Sequence, residues 1–149
     1  MTTNIFFAEV SIKTTLAEKT IFEKAFLLHE PFSVSNKVEE VCRCSRHIYN
    51  LHMMMLKGVA EKTITNNELW QTIHDHRFML TYMHGVDYSI DFQSNIQLIL
   101  PKELLIDWKT DYKDMTTAVI NGEKPLFAEF LYSMNWLEML FKKTNNVKL

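Results

Sequence analysis

Residues 101–122 read PKELLIDWKTDYKDMTTAVING. Leu104, Leu105, Trp108, Tyr112, Met115 and Val119 recur at intervals of three and four, the period of one helix face, while Asp107, Asp111 and Asp114 gather on another. Pro101 suits a first helical turn, where a missing N–H leaves no bond unmade, and Gly122 suits the left-handed residue that ends a helix. The stretch therefore predicts an amphipathic helix with punctuation at both ends.

The same grammar extends outward. Pro125 opens a last helix in which Phe127, Phe130, Leu131, Met134, Leu137, Leu140 and Phe141 form a wide apolar stripe, and Lys142 and Lys143 suit the negative end of its dipole. On the other side, Asn66 or Asn67 caps a helix to about His84 with Leu69, Ile73, Leu80 and Met83 inward and Gly85 as its terminator. Val41, Cys44, Ile48, Leu51 and Met55 mark a helix ending near Gly58. Thr15 and Glu18 have capping-box spacing and predict a helix to about His29, with Ile21, Phe22, Ala25 and Leu28 inward and Pro31 as its stop. Residues 29–40, HEPFSVSNKVEE, then read as a polar loop.

Two stretches read as extended. FFAEVSIKT, with Phe7, Val10 and Ile12 in rough alternation, predicts a strand over about 6–14, and VDYSIDFQSNIQLILP allows one short extended segment to pair with it. The expected architecture is mainly α: about five helices in a compact bundle, the helical region running from about 16 to 143, with a small N-terminal β element. One domain of 149 residues, 47% apolar, is large enough to bury a core without disulfides. Three glycines and three prolines are too few for the turns of an all-β chain.

A net charge of −2, with 16 basic and 18 acidic side chains intermixed, provides no global field for nucleic acid or an anionic membrane, so any nucleotide site is local. The N-terminal residues lack a basic region followed by a long apolar run, and nothing approaches a membrane span, which gives the expectation of a cytoplasmic protein with no membrane partner. Cys42 and Cys44, one residue apart with no second pair, make neither a disulfide nor a zinc knuckle.

Chemistry-bearing residues concentrate in CRCSRHIYNLH, residues 42–52. Cys44, Ile48 and Leu51 belong to the core stripe of that helix. Arg46 and His52 match the loose R-x5-H pattern of HEPN-type ribonucleases, which work without a metal, but on a regular helix they lie about 120° apart. Elsewhere, His74 and His76 are about 200° apart on their helix and cannot share an ion, so no metal site is expected. His29, His74, Asp75 and Asp111 follow the order of an HD-type phosphohydrolase, yet bulky residues surround the His-Asp pair. A further reading takes Glu23 and Lys24 with Arg46 and Tyr49, two helices each presenting a cation to phosphate oxygens, the arginine as a fork and the lysine as a point charge. The simpler alternative is a solvated polar face.

Taken in order and spacing, KTIFEKAFLLHE, CSRHIYNLHMM, HDHRFMLTYMHGVDY, WKTDYKDM and INGEKPLFAEFL resemble the C-terminal half of the AbiEii-type nucleotidyltransferases, the toxin partners of abortive-infection toxin–antitoxin pairs. The resemblance runs from about residue 8 to 143. It implies a helical half that follows a catalytic core, a mixed sheet whose glycine-serine turn and D-x-D pair hold Mg²⁺ and a nucleoside triphosphate. This sequence has neither signature: Asp87 and Asp91 are four apart with no glycine turn before them. What carries over is accessory: Lys24 looks like the family lysine that meets phosphate, and Arg46 and His47 match the Arg-His of the helix that closes over the site. Tyr49 and Asn50 complete that face, Asn50 standing where the family has aspartate and unable to supply its charge.

The expectation is thus a truncated or split nucleotidyltransferase toxin domain, inactive alone and needing no cofactor by itself. A separately encoded catalytic half, or an antitoxin, would be its partner. Completed, it would use Mg²⁺ and a nucleoside triphosphate to modify an RNA or protein acceptor. The alternatives are a HEPN-like ribonuclease using Arg46 and His52, and a non-catalytic module that dimerises through the strand edge at 6–14.

Overall fold

A computed structural model describes the backbone of residues 2–34 and 43–146 and the side chains of 17–34 and 43–144. Helices dominate it: α1 (Thr2–Ser33), α2 (Ser45–Leu56), α3 (Val59–Ile64), α4 (Asn67–Leu80), the single turn α5 (Phe92–Asn95), α6 (Leu105–Val119) behind a 3-10 turn at Lys102–Leu104, and α7 (Phe127–Asn146). Among the described residues there is no strand, and no helix is long and apolar enough to cross a membrane.

The mainly α expectation holds, and its β element does not. Residues 6–14 lie inside α1, which runs unbroken for 32 residues. Positions 7 and 10 are three apart as well as roughly alternating, no glycine or proline interrupts 2–30, and the described residues hold no second strand to pair with, so the weaker β propensity yields. Thr15 is accordingly inside the helix and does not cap it. Nor does Pro31 stop α1, which ends two residues later at Ser33. A proline so near the end removes one late hydrogen bond, and the Ser33 hydroxyl donates to the Glu30 carbonyl at 2.8 Å. Residues 35–42, the second half of the expected polar loop together with Val41 and Cys42, lie outside the described residues.

α2 is central and packs against α1, α3, α6 and α7. It turns into α3 through Gly58, which takes φ +69°, a left-handed conformation open to glycine at little cost. The core joins Ile21, Phe22, Ala25, Phe26 and Leu28 of α1 to Ile48 and Leu51 of α2 and to Phe130, Met134, Leu137 and Phe141 of α7. Trp70 of α4 stacks on Phe26 at 4.6 Å and meets Phe22 and Phe141 at 5.2 and 5.3 Å. Each such fully buried ring or branched chain contributes about 1.5–3 kcal/mol by leaving water. α6 docks through Trp108, Tyr112 and Met115, as its periodicity requires.

Later helices also depart from expectation. α4 is capped by Asn66, whose side chain accepts from the Leu69 N–H at 3.1 Å, but it ends at Leu80 and not near His84. The Met83 N–H donates instead to the Tyr88 hydroxyl at 3.1 Å, a tertiary bond that draws the chain out of the helix. Leu80 and Val119, expected inward, are the last residues of their helices and are 71% and 57% exposed. Where an extended segment was expected, Asp91 accepts from the Gln93 and Ser94 N–H groups and starts α5. α3 has no forecast counterpart.

Candidate functional site

The phosphate-facing candidates converge where α1 meets the start of α2. Lys24 Nζ lies 3.1 Å from His47 Nδ1. An ammonium cannot accept, so Nδ1 is the bare nitrogen and Nε2 carries the hydrogen. Burial, followed by the charges of Lys24 and Arg46, lowers the His47 pKa to about 4, which agrees with that neutral tautomer. Arg46 is exposed beside it, and Arg43 stands just ahead of the helix. Neither arginine makes an ion pair among the described residues.

Arg43 and His47 line two adjoining cavities. A groove of about 490 Å³ lies between Arg43, Arg46 and His47 on one wall and Asp111, Asp114 and Met115 of α6 on the other. A second, of about 380 Å³, shares Arg43 and His47 and reaches Glu30, Arg77 and Tyr82. The opening of α2 is held by Asp111, whose carboxylate accepts from the Ser45 N–H at 3.1 Å. This bond satisfies one of the free amides at the positive end of the dipole. Asp111, which periodicity placed on the polar face of α6, therefore fixes the helix that presents Arg46 and His47.

Tyr49 is half-buried, its ring edge-on to Phe130 at 6.2 Å, and serves packing. Asn50, one turn beyond Arg46, is half-buried and makes no side-chain hydrogen bond among the described residues. The nuclease pair is not assembled within this chain: Arg46 is exposed, while His52 is buried, 2.7 Å from the Ser133 hydroxyl and edge-on to Phe130. Burial lowers the pKa of His52 despite the opposing charge of Glu129.

The HD-type set is likewise dispersed. His29 Nδ1 accepts from the Gln97 N–H at 3.0 Å, His74 meets Asp75 and the Tyr88 carbonyl at 3.1 Å, and Asp111 is at the start of α2. No group of three or more potential metal ligands occurs among the described residues. His29 keeps a buried Nε2–H without a hydrogen-bond partner, and burial lowers its pKa to about 4.

Sequence reading missed two features of this region. Arg43 is one, although its spacing of three and four from Arg46 and His47 signals a shared helical face. The other is the buried pair behind the second cavity. Arg77 Nε donates to Glu30 Oε1 at 2.8 Å and Nη2 to Oε2 at 2.5 Å, and the Tyr88 hydroxyl donates to Oε1 at 2.8 Å. Burial pushes the Tyr88 hydroxyl up to about 12, so it remains a donor. No sequence signal pairs residues 47 apart.

No family model, curated protein or solved structure matches this chain.

Proposed function

We propose that this chain is a phosphate-recognising helical module, the companion of a separately encoded nucleotidyltransferase core of the AbiEii type. Lys24, Arg43 and Arg46 would contact the phosphates of a nucleoside triphosphate, joined by the Nε2–H of His47. The observation that supports this reading is the 3.1 Å approach of Lys24 to His47. It joins two of the motifs that carried the resemblance, and it sets the lysine against a histidine that shares its groove with two arginines unpaired by any carboxylate among the described residues. Lys24 retains donors beyond the one given to His47, and each guanidinium offers a fork suited to a phosphate edge. Asp111 and Asp114 on the facing wall confine an anion to the cationic side.

The chemistry of transfer would belong to the partner, whose carboxylate pair would hold Mg²⁺. This chain would bind and orient phosphate without transferring a nucleotide. Titration calorimetry with GTP, ATP and inorganic tripolyphosphate tests the reading. Binding that weakens with salt and falls about tenfold in Lys24→Ala and Arg46→Ala is expected, since each deletes one charge-assisted contact. No binding of any of the three, or affinities indifferent to both substitutions, would reject it. Nucleotide labelling of a target by the chain alone would also reject the assignment of catalysis to a second polypeptide.

A further inference from the structure

α6 carries three faces, and only two are accounted for. Trp108, Tyr112 and Met115 enter the core, and Asp111 and Asp114 line the Arg43–Arg46 groove. The third face bears Ile106, Lys109 and Lys113 and forms, with Lys124, Leu126 and Phe127, a separate groove of about 670 Å³. Its apolar content is unusually open to water: Ile106 is 78% and Leu126 69% exposed. The threonines along it turn their hydroxyls back onto α6, Thr110 to the Ile106 carbonyl and Thr116 to the Lys113 carbonyl, both at 3.0 Å, which leaves the groove with little uncharged hydrogen-bonding capacity. The Tyr112 hydroxyl is likewise spent on the Pro125 carbonyl.

The charge on this groove is all of one sign. Lys109, Lys113 and Lys124 line it with no acidic residue among the lining, and none of the three makes an ion pair among the described residues. The nearest acid at the start of α7, Glu129, directs its carboxylate to the Leu126 N–H at 2.6 Å. Glu123 is exposed and does not line the groove.

We infer that this groove docks an acidic amphipathic helical segment of a partner protein, its apolar side chains meeting Ile106, Leu126 and Phe127 and its carboxylates meeting Lys109, Lys113 and Lys124. A shallow apolar floor with a charged rim suits a helix laid along it. Anionic membranes are matched less well, because basic clusters that recruit to lipid have about four to eight cations, and the lysines lining this groove are Lys109, Lys113 and Lys124 alone. A sugar–phosphate backbone would use the lysines and leave the apolar floor unfilled.

Panning a random peptide phage library on the full chain tests this, followed by fluorescence anisotropy of a selected peptide made synthetically. Enriched peptides should place Asp or Glu around apolar residues at helical spacing. Lys113→Glu and Leu126→Ser should each weaken the selected peptide about tenfold or more, with an unchanged unfolding midpoint because both side chains are exposed. Failure to enrich any peptide, enrichment of peptides without acidic residues, or affinity undiminished in the Lys109→Glu/Lys113→Glu/Lys124→Glu variant overturns the inference. Tighter binding to phosphatidylserine vesicles than to the peptide overturns it in favour of a lipid surface.

Discussion

Two clusters of charge lie within one stretch of α1, and they differ in a single respect. Glu30 meets Arg77 through two hydrogen bonds and a tyrosine hydroxyl, all turned inward. Lys24, between one and two turns earlier, meets a neutral imidazole, which itself lines an open groove with two arginines that make no ion pair among the described residues. The first cluster is closed: every charge has its complement, and α1, α4 and the segment after it are tied together. The second is open, with arginines that no carboxylate among the described residues pairs. Matched charge secures the fold, and unmatched charge at a cavity is what remains to act on another molecule.

Breaking the closed cluster should have the largest effect. Arg77→Ala leaves Glu30 buried without its partner and should cost about 3–5 kcal/mol of stability, read by chemical denaturation. The double change Glu30→Leu/Arg77→Met should recover most of that loss, since the desolvation of both charges disappears with them. A double variant as unstable as the single one would show that geometry, not charge compensation, holds the region.

The histidines on either side of the comparison should give the next largest effect. His29 and His47 are both held neutral, with pKa values of about 4 against the ordinary 6.5. Between those values the unfolded chain binds more protons than the folded one, so stability is full above about pH 6.5 and falls as pH drops toward 4. For the fully buried His29 the loss is roughly 3 kcal/mol across that window. Urea midpoints at several pH values should show the slope, and His29→Asn should flatten it; a flat profile in the parent protein would contradict both assignments.

The smallest stability effects belong to the open cluster. Lys24→Ala and Arg46→Ala should each change stability by no more than about 0.5 kcal/mol, while lowering phosphate affinity about tenfold. Thermal unfolding beside calorimetric titration separates the two readouts. A large stability loss in Arg46→Ala would move that residue into the structural class and close the difference between the clusters.

α6 and α7 were legible but for the outward turn of Val119, because their apolar residues repeat at the helical period over several turns and their ends carry Pro101, Gly122 and Pro125. α3, six residues long, has too few turns to show a period. The early end of α4 was invisible because it depends on Tyr88, which returns from five residues beyond Met83 to take its N–H. At the candidate site, Lys24, Arg46 and His47 could be named one by one, and the spacing of Arg43 from Arg46 and His47 could have added it, but no spacing foretold that His52 would leave. His52 leaves because Ser133, 81 residues away, waits in the core to pair with it.

By itself, then, the sequence determined the class of the fold and the inward face of most helices, since both depend on spacing along a single element. Which polar groups meet was decided only when the helices packed. The contacts of Lys24 with His47, Glu30 with Arg77 and Asp111 with Ser45 join residues on different elements. A hydrogen bond requires placement to within a few tenths of an ångström, and only the assembled core supplies that.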